Sequence, residues 1–139
     1  MGVVADATIE AGGRVIGVIP DALVEREFAN IRCDELHVVK TMHERKAMMA
    51  EKSNAFLALS GGVGTFEELL EIWTWRNLGY HAMPIGLLNS EGYYDGLLHF
   101  LRSSVDYGFT TQEQLDKLHV HTDIKTLLDN LRESSLGIV

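Results

Sequence analysis

Apolar and polar positions follow two different periods along this chain, and the two alternate from one segment to the next. Arg14 to Ile19 is a largely β-branched run that stops at Pro20, as in a buried parallel strand. Asp95 to Tyr107 instead repeats its apolar residues at helical spacing and stops at Gly108. The same criteria predict helices at about residues 3–11, 21–27, 41–53, 65–78, 95–107, 111–118 and 123–133, and strands at 14–19, 35–39, 55–59, 84–88 and 119–121.

Strands that alternate with helices predict an α/β fold, a Rossmann-like doubly wound parallel sheet with helices on both faces. The 139 residues are enough for one nucleotide-binding domain with a buried core. Ligands of such folds bind at the carboxyl ends of the strands, here Ile19-Pro20, Val39 to Thr41, Leu59-Ser60 and Leu88-Asn89. Such a domain normally begins with a strand, whereas this chain begins inside a helix. We therefore expect that a first β-α unit is missing.

The helix at 65–78 is apolar nearly all round. A helix of this kind is buried on both sides, and in a small domain the second side is often a subunit interface. We therefore expect a homodimer in which Ile72 and Trp75 contact a second copy; the alternative is a helix sandwiched within one chain. The other stripe of this helix consists of Phe66, Leu69, Leu70 and Trp73. In the last helix, the residues expected to face inward are Ile124, Leu127, Leu128 and Leu131.

A glycine-rich turn, Ser60 to Thr65, follows the predicted strand Ala55 to Leu59 and opens the long helix. Backbone N–H groups and the positive end of the helix dipole meet at such a turn, which favours phosphate binding. Glu67 and Glu68 serve no purpose towards an anion, so we expect them to face another part of the ligand. The alternative is structural: Thr65 and Glu68 have the spacing of a capping box.

Two cations, Arg45 and Lys46, lie near the start of the helix that begins at Thr41. Cations oppose the dipole there, and a local rule broken without visible compensation is expected at functional sites. The strand order predicts that they lie at the same edge of the sheet as the glycine turn. The alternative is a solvated surface pair beside Glu44.

The overall charge and the single cysteine narrow the possible partners. A net charge of −8 argues against nucleic acid and anionic membranes. Cys33 is the only cysteine, and no apolar run has membrane-spanning length, so we expect a cytoplasmic protein. His119 and His121 lack nearby carboxylate or cysteine ligands, so we expect no metal site.

Four segments together resemble one known family. They are Val15 to Pro20, Met-His-Glu-Arg-Lys at 42–46, Ser60 to Glu68, and Thr74 to Gly79. They are similar to the second strand and to the Met-His-x-Arg-Lys, Pro-Gly-Gly-x-Gly-Thr-x-x-Glu and Thr-Trp-x-x-Leu-Gly motifs of the LONELY GUY family. These proteins are cytokinin riboside 5′-monophosphate phosphoribohydrolases, often labelled possible lysine decarboxylases.

The resemblance implies roles for individual residues. It makes Arg45 and Glu68 the catalytic pair. Two departures from the family are the serine at position 60, where the family has proline, and the absent first β-α unit with its own glycine-rich turn. The residues that the resemblance implies for substrate binding are Glu27, Lys46, Gly61, Gly62, Gly64, Thr65, Glu67 and Thr74.

The expected reaction is hydrolysis of the N-glycosidic bond of an adenosine 5′-monophosphate, often N6-substituted, to the free base and ribose 5-phosphate. No metal or organic cofactor is expected. Lysine decarboxylation needs pyridoxal phosphate on an active-site lysine with a partner for the pyridinium nitrogen, and no such constellation is visible. The alternative is a non-catalytic carrier of a nucleotide or a molybdopterin-type cofactor, since fold alone does not determine function.

Overall fold

The computed structural model describes residues 2–24 and 32–137, which form two compact units, Met1–Lys52 and Ser53–Val139. Its elements follow the predicted alternation. In chain order they are α1 (Gly2–Glu10), β1 (Ile16–Pro20), α2 (Asp21–Val24), β2 (Glu35–Val39), α3 (Met42–Glu51), β3 (Phe56–Ala58), α4 (Val63–Asn77), β4 (Ile85–Leu88), α5 (Asp95–Asp106), α6 (Gln112–Asp116), β5 (Leu118–His121) and α7 (Ile124–Leu136), with a 3-10 turn at Ser90–Gly92 between β4 and α5.

The first unit is built on a pair of parallel strands. β1 and β2 pair from Ile16 opposite Glu35 to Pro20 opposite Val39, and Val39 is buried. Helices α2 and α3 contact β1. The predicted end of the first helix is confirmed, because Gly12 follows α1 with a φ of +78°, a conformation that favours glycine.

Side chains cap the start of α3. The Thr41 hydroxyl accepts a hydrogen bond from the Glu44 N–H at 3.1 Å, as the sequence predicts. The Glu44 carboxylate accepts from the N–H of Lys40 at 2.7 Å, one residue before the cap. Two polar side chains therefore occupy backbone donors at this helix end.

The second unit contains a three-stranded parallel sheet in the order β3, β4, β5. Ile85 of the central strand pairs with Phe56 on one side and with Leu118 on the other. Ile85 and Leu87 have no exposed surface, so β4 forms the middle of this core. The sequence anticipates this arrangement, because β4 is apolar on both faces.

Two helix signals in the second unit are confirmed. Gly108 follows α5 with a φ of +75°. Thr111 and Gln114 form a complete capping box at the start of α6, with the Thr111 hydroxyl accepting from the Gln114 N–H at 3.1 Å and the Gln114 side chain accepting from the Thr111 N–H at 2.8 Å. Short polar motifs therefore predict these helix ends to within a residue.

The inward face of α7 is narrower than predicted. Leu127 and Leu131 are buried, whereas Ile124 and Leu128 are 41% and 49% exposed. The helix packs closely on β4: a Cβ added to Gly86 would lie 2.8 Å from Leu131 Cδ1. This contact centres the buried face on the i, i+4 pair of leucines, so the expectation for Ile124 and Leu128 is wrong.

The α/β fold class with parallel strands and packed helices is confirmed. The five strands belong to two sheets, one in each unit. That the chain forms a single domain stays a prediction. Within the described ranges, no helix is long and apolar enough to cross a membrane.

Candidate functional site

The glycine turn connects β3 to α4, and no side chain caps the helix that it opens. Gly62 is the N-cap residue, with φ −95° and ψ −152°, and it makes no side-chain cap hydrogen bond. The first N–H groups of a helix have no partner within the helix, and the dipole is positive at this end. The start of α4 therefore has the donors and the field that an anion site requires.

The three glycines of the turn have different roles. A Cβ at Gly61 would lie 2.2 Å from Thr65 Oγ1, so the Thr65 side chain occupies the space that a larger residue would need. A Cβ at Gly62 or Gly64 would meet nothing within 4 Å, and neither residue has a positive φ. Packing within the chain therefore explains Gly61, whereas Gly62 and Gly64 leave the backbone open to a ligand.

The capping interpretation of Thr65 and Glu68 is wrong. The Thr65 N–H donates to the Gly62 carbonyl at 3.0 Å, so Thr65 lies inside the first turn of α4 and is not its cap. Glu68 is half-buried and Glu67 is exposed. Capping therefore does not explain why the Glu68 carboxylate lies partly buried in the second turn of α4.

Arg45 is held against the first strand of its own unit. Its Nε–H donates to the Val18 carbonyl of β1 at 3.2 Å, and the residue is half-buried. Hydrogen bonding through Nε leaves the terminal nitrogens of the guanidinium at the far end of the side chain. This hydrogen bond anchors the guanidinium to the backbone of β1.

Lys46, the neighbouring cation, is only 5% exposed. An ammonium group tolerates such burial only with hydrogen-bond partners. The interpretation of Arg45 and Lys46 as a solvated surface pair is therefore wrong, most clearly for Lys46. Arg45 and Lys46 lie on α3, and the turn with Glu67 and Glu68 lies at the start of α4. That Arg45 and Glu68 act as a pair stays a prediction.

Two further residues implied by the resemblance gain little support. Glu27 lies outside the described residues. Thr74 is exposed on α4, and its hydroxyl donates to the Leu70 carbonyl of the preceding turn at 2.7 Å. This bond is a common local feature of helical threonines. Binding of substrate by Thr74 stays a prediction.

The predicted dimer contacts of α4 need one correction. Ile72 is 3% exposed and belongs to the core with Leu69 and Trp73. Its burial within the chain excludes it from contact with a second copy, so this part of the prediction is wrong. Trp75 is half-buried, and Leu78 is 64% exposed. The side of α4 that is open to solvent therefore differs from the one expected.

Sequence reasoning missed Tyr93, which contacts the glycine turn, and Tyr94, which contacts the residue just before it. The Tyr93 hydroxyl donates to the Gly61 carbonyl at 2.7 Å, and the Tyr94 hydroxyl donates to the Leu59 carbonyl. Asn89, at the carboxyl end of β4, is 8% exposed. Asn89 follows β4 directly, which is a local signal, but the partners of the two tyrosines lie 32 and 35 residues earlier and meet them only through the fold.

The histidines of β5 do not form a metal site with their neighbours. Burial, together with the nearby Arg76 guanidinium, lowers the pKa of His119. His121 Nδ1 accepts a hydrogen bond from the Asp123 N–H at 3.0 Å. Within residues 2–24 and 32–137, no group of three or more histidine, cysteine or carboxylate side chains has the geometry to hold a metal ion.

Comparison with known proteins gives a consistent result. The chain matches the family described as possible lysine decarboxylase over residues 1–131. Cytokinin riboside 5′-monophosphate phosphoribohydrolase LOG2 of Arabidopsis thaliana is 49% identical over 111 residues, which are 80% of this chain and 52% of that protein. LOG4 of the same plant is 45% identical over 135 residues, 97% of this chain and 63% of that protein.

A probable enzyme of the same name from Oryza sativa subsp. japonica, LOGL9, is 46% identical over 133 residues, 96% of this chain and 59% of that protein. The chain thus spans 52–63% of the length of these three relatives. The family match extends over nearly the whole chain and includes both the Arg45-Lys46 segment and the glycine turn. The chain belongs to the possible lysine decarboxylase family and, within it, to the LONELY GUY family that its motifs indicate.

Proposed function

We propose that this protein hydrolyses the N-glycosidic bond of adenosine 5′-monophosphates, including N6-substituted ones of the cytokinin type. The products are the free base and ribose 5-phosphate. The observation that carries this proposal is the uncapped start of α4, with Glu68 half-buried one turn further on. The names of the relatives, cytokinin riboside 5′-monophosphate phosphoribohydrolases, support the same reaction.

Glu68 acts on the sugar in this proposal. Cleavage of a glycosidic bond passes through a transition state with positive charge on the anomeric carbon, which a nearby carboxylate stabilises. The water oxygen bonds to the anomeric carbon as the carbon–nitrogen bond breaks, and the electron pair of that bond goes to the base. Glu68 orients the water and accepts one of its protons, and the base takes up a proton in return.

The glycine turn holds the substrate phosphate. Backbone N–H groups of Gly62, Val63 and Gly64 bind the phosphate oxygens, and Thr65 and Glu67 line the neighbouring part of the site. Holding the phosphate fixes the ribose, so remote binding energy contributes to the rate of bond cleavage.

Arg45 and Lys46 supply positive charge towards the nucleotide. A guanidinium remains protonated throughout, so Arg45 polarises the departing base or neighbouring groups and does not donate a full proton. Glu27 and Thr74 belong to the proposed substrate site through the resemblance alone. No metal or organic cofactor takes part.

The competing function is that of a non-catalytic carrier of a nucleotide or a molybdopterin-type cofactor. A carrier gains nothing from a carboxylate near a bound phosphate, because the two repel each other. The position of Glu68, which capping does not explain, therefore favours the hydrolase.

Glu68→Gln tests the proposal directly. This substitution keeps the shape of the side chain and removes its charge, so we expect turnover of AMP to fall by roughly 10²–10⁴-fold with an unchanged melting temperature. Glu133→Gln, on the exposed side of α7, is the matched control. Hydrolysis at the wild-type rate by Glu68→Gln would remove Glu68 from the mechanism.

The substrate class is tested by incubation with AMP, isopentenyl-AMP and adenosine, followed by chromatography of the free base. We expect release from both nucleotides and almost none from adenosine, which lacks the phosphate. Equal release from adenosine would indicate a nucleosidase, and tight nucleotide binding without any release would favour the carrier.

The proposed assembly is a homodimer through the open side of α4, with Trp75 and Leu78 at the contact. Homo-oligomers most often have two-fold symmetry, which brings the same helix of both copies together. Light scattering should show that Trp75→Glu dissociates the dimer. A wild-type protein that is monomeric at high concentration would contradict the proposed homodimer. The proposed location is the cytoplasm, which fits the single cysteine.

A further inference from the structure

Two consecutive tyrosines hold one carbonyl group of the glycine turn and one of the residue just before it. The Tyr94 hydroxyl donates to the Leu59 carbonyl at the end of the strand, and the Tyr93 hydroxyl donates to the Gly61 carbonyl at 2.7 Å. Tyr94 is 1% exposed, whereas Tyr93 is 53% exposed. The two hydroxyls thus attach to the backbone on either side of Ser60, one from the core and one from the surface.

The loop after β4 fixes the backbone of the two tyrosines. Asn89 Oδ1 accepts from the Tyr94 N–H at 2.7 Å, and Asn89 Nδ2 donates to Asp95 Oδ1 at 2.8 Å. The chain between them turns through Glu91 and Gly92, with φ of +52° and +74°. Because Asn89 is buried, this network gives the tyrosines a rigid base.

The two rings also support each other. Tyr93 and Tyr94 pack edge to face with their ring centroids 5.0 Å apart, and Tyr94 packs against Phe66 of α4 at 6.1 Å. Burial, together with the neighbouring Tyr93, raises the pKa of Tyr94, so its hydroxyl stays protonated and remains a donor. The direction of both hydroxyls is therefore determined by packing.

The hydrogen bond to Gly61 sets the orientation of one peptide group of the anion site. A trans peptide is planar, with its C=O and N–H on opposite sides. When Tyr93 holds the Gly61 carbonyl, the N–H of Gly62 points away from Tyr93. Rotation of this peptide is easy between two glycines, because neither has a Cβ. A rotated peptide would present a carbonyl to the anion in place of a donor.

We propose that Tyr93 is a positioning residue: its hydroxyl holds the Gly61–Gly62 peptide in the orientation in which the start of α4 binds the 5′-phosphate. This role rests on the proposed function of the turn. Tyr93 does not contact the reacting atoms and acts through the backbone. Tyr94 instead attaches the end of β3 to the core, so its loss affects folding more than phosphate binding.

Tyr93→Phe tests this role, with Tyr107→Phe as the matched control. Both tyrosines are largely exposed, and Tyr107 lies at the end of α5, outside the candidate site. Calorimetry with the full chain measures the dissociation constants of ribose 5-phosphate, which carries the phosphate, and of adenine, which does not. Tyr93→Phe should raise the dissociation constant of ribose 5-phosphate roughly fivefold, the effect of one hydrogen bond. The dissociation constant of adenine should stay unchanged.

Amide hydrogen exchange of the ligand-free protein gives an independent readout. Exchange in the segment 60–65 should be faster in Tyr93→Phe than in the wild type and in Tyr107→Phe, with equal melting temperatures for all three. Unchanged affinity of Tyr93→Phe for ribose 5-phosphate would overturn the role of Tyr93, whatever its hydrogen exchange.

The outcomes separate this proposal from the proposed function. If Tyr93→Phe loses affinity for ribose 5-phosphate but the wild type releases no base from AMP, the positioning role is supported and the hydrolase is contradicted. If the wild type hydrolyses AMP and Tyr93→Phe binds ribose 5-phosphate normally, only the positioning role fails. A wild-type protein that does not bind ribose 5-phosphate would overturn both.

Discussion

The helices α3 and α4 each follow a parallel strand, and their N-termini differ in whether a side chain caps them. At the start of α3, the Thr41 hydroxyl and the Glu44 carboxylate accept from N–H groups of the chain. At the start of α4, the cap is Gly62 and no side chain accepts. A side chain therefore caps the first helix end, and none caps the second.

The charged residues near these two helix ends are also opposite in sign. α3 carries Arg45 and Lys46 near its positive end, and α4 carries Glu67 and Glu68 near its own. The Thr41 hydroxyl occupies one backbone donor of α3, and in the proposed site α3 contributes charge through its side chains. The start of α4, which has no side-chain cap, is proposed to hold the anion with its backbone, so its carboxylates face another part of the ligand. Capping therefore distinguishes the helix end proposed to bind through its backbone from the one proposed to act through its side chains.

Among the substitutions that test this comparison of the two helix ends, the largest effect is expected at Arg45, the side-chain contribution of α3. Arg45→Ala removes the guanidinium, and we expect kcat/KM for AMP to fall by roughly 10²–10³-fold, as when one preorganised donor is lost. Arg45→Lys keeps the charge but loses the planar donor set, including the Nε–H that binds the Val18 carbonyl. It should recover little activity. Wild-type activity in Arg45→Ala would show that α3 takes no part.

The next effect comes from giving α4 the cap that α3 already has. In Gly62→Asp the backbone angles suit any residue, and a Cβ meets nothing within 4 Å, so the protein should fold with equal or slightly higher stability. The new carboxylate would occupy the anion site and repel the phosphate. We expect the affinity for AMP to fall by about 100-fold in a calorimetric titration, since a charge now opposes binding.

Gly62→Ala is the control for this substitution, because it adds a Cβ without a charge. It should lose much less affinity than Gly62→Asp. Equal AMP affinity in Gly62→Asp and wild type would show that the phosphate does not bind at the start of α4.

The sequence predicted nearly every helix and strand, because each element has a clear period and a clear stop. Gly12 and Gly108 end their helices as expected, and Thr111 begins one as expected. The capping pattern failed at Thr65, since spacing alone does not show that the helix has already begun at the glycines before it. A side-chain pattern predicts a helix start only when the preceding residues are unable to extend the helix.

Some residues of the candidate site were predictable from the local sequence, and others were not. The turn and the Arg45-Lys46 segment were predictable, because their chemistry lies in local sequence. Tyr93 was not, because its partner Gly61 lies 32 residues earlier and meets it only through the fold. Ile72 shows a related limit: apolar spacing on a helix does not distinguish a residue buried in its own core from one buried against a second copy.

A smaller effect, on stability, is expected at Gly61. In Gly61→Ala the new methyl would lie 2.2 Å from Thr65 Oγ1, so the turn must shift. Overpacking of this kind costs about 1–3 kcal/mol, and it should appear as a lower free energy of unfolding in urea. Thr65→Ala in the same chain removes the hydroxyl and should restore part of the loss. Gly62→Ala, which has free space and loses only the N-cap preference for glycine, should cost less stability than Gly61→Ala. An equal loss there would contradict the distinct roles of the two glycines.

The smallest effect is expected at the cap of α3, and it should fall on stability alone. Thr41→Ala removes the hydroxyl that accepts from the Glu44 N–H, so the free energy of unfolding should fall by about 1 kcal/mol. Thr41→Ser keeps the acceptor, so its free energy of unfolding should stay close to that of the wild type. AMP affinity, measured by calorimetry below the unfolding transition, should match the wild type in both variants, because a capped helix end does not bind the phosphate. A weaker affinity in Thr41→Ala, restored in Thr41→Ser, would mean that α3 also contributes its backbone to the nucleotide, and the contrast between the two helix ends would then fail.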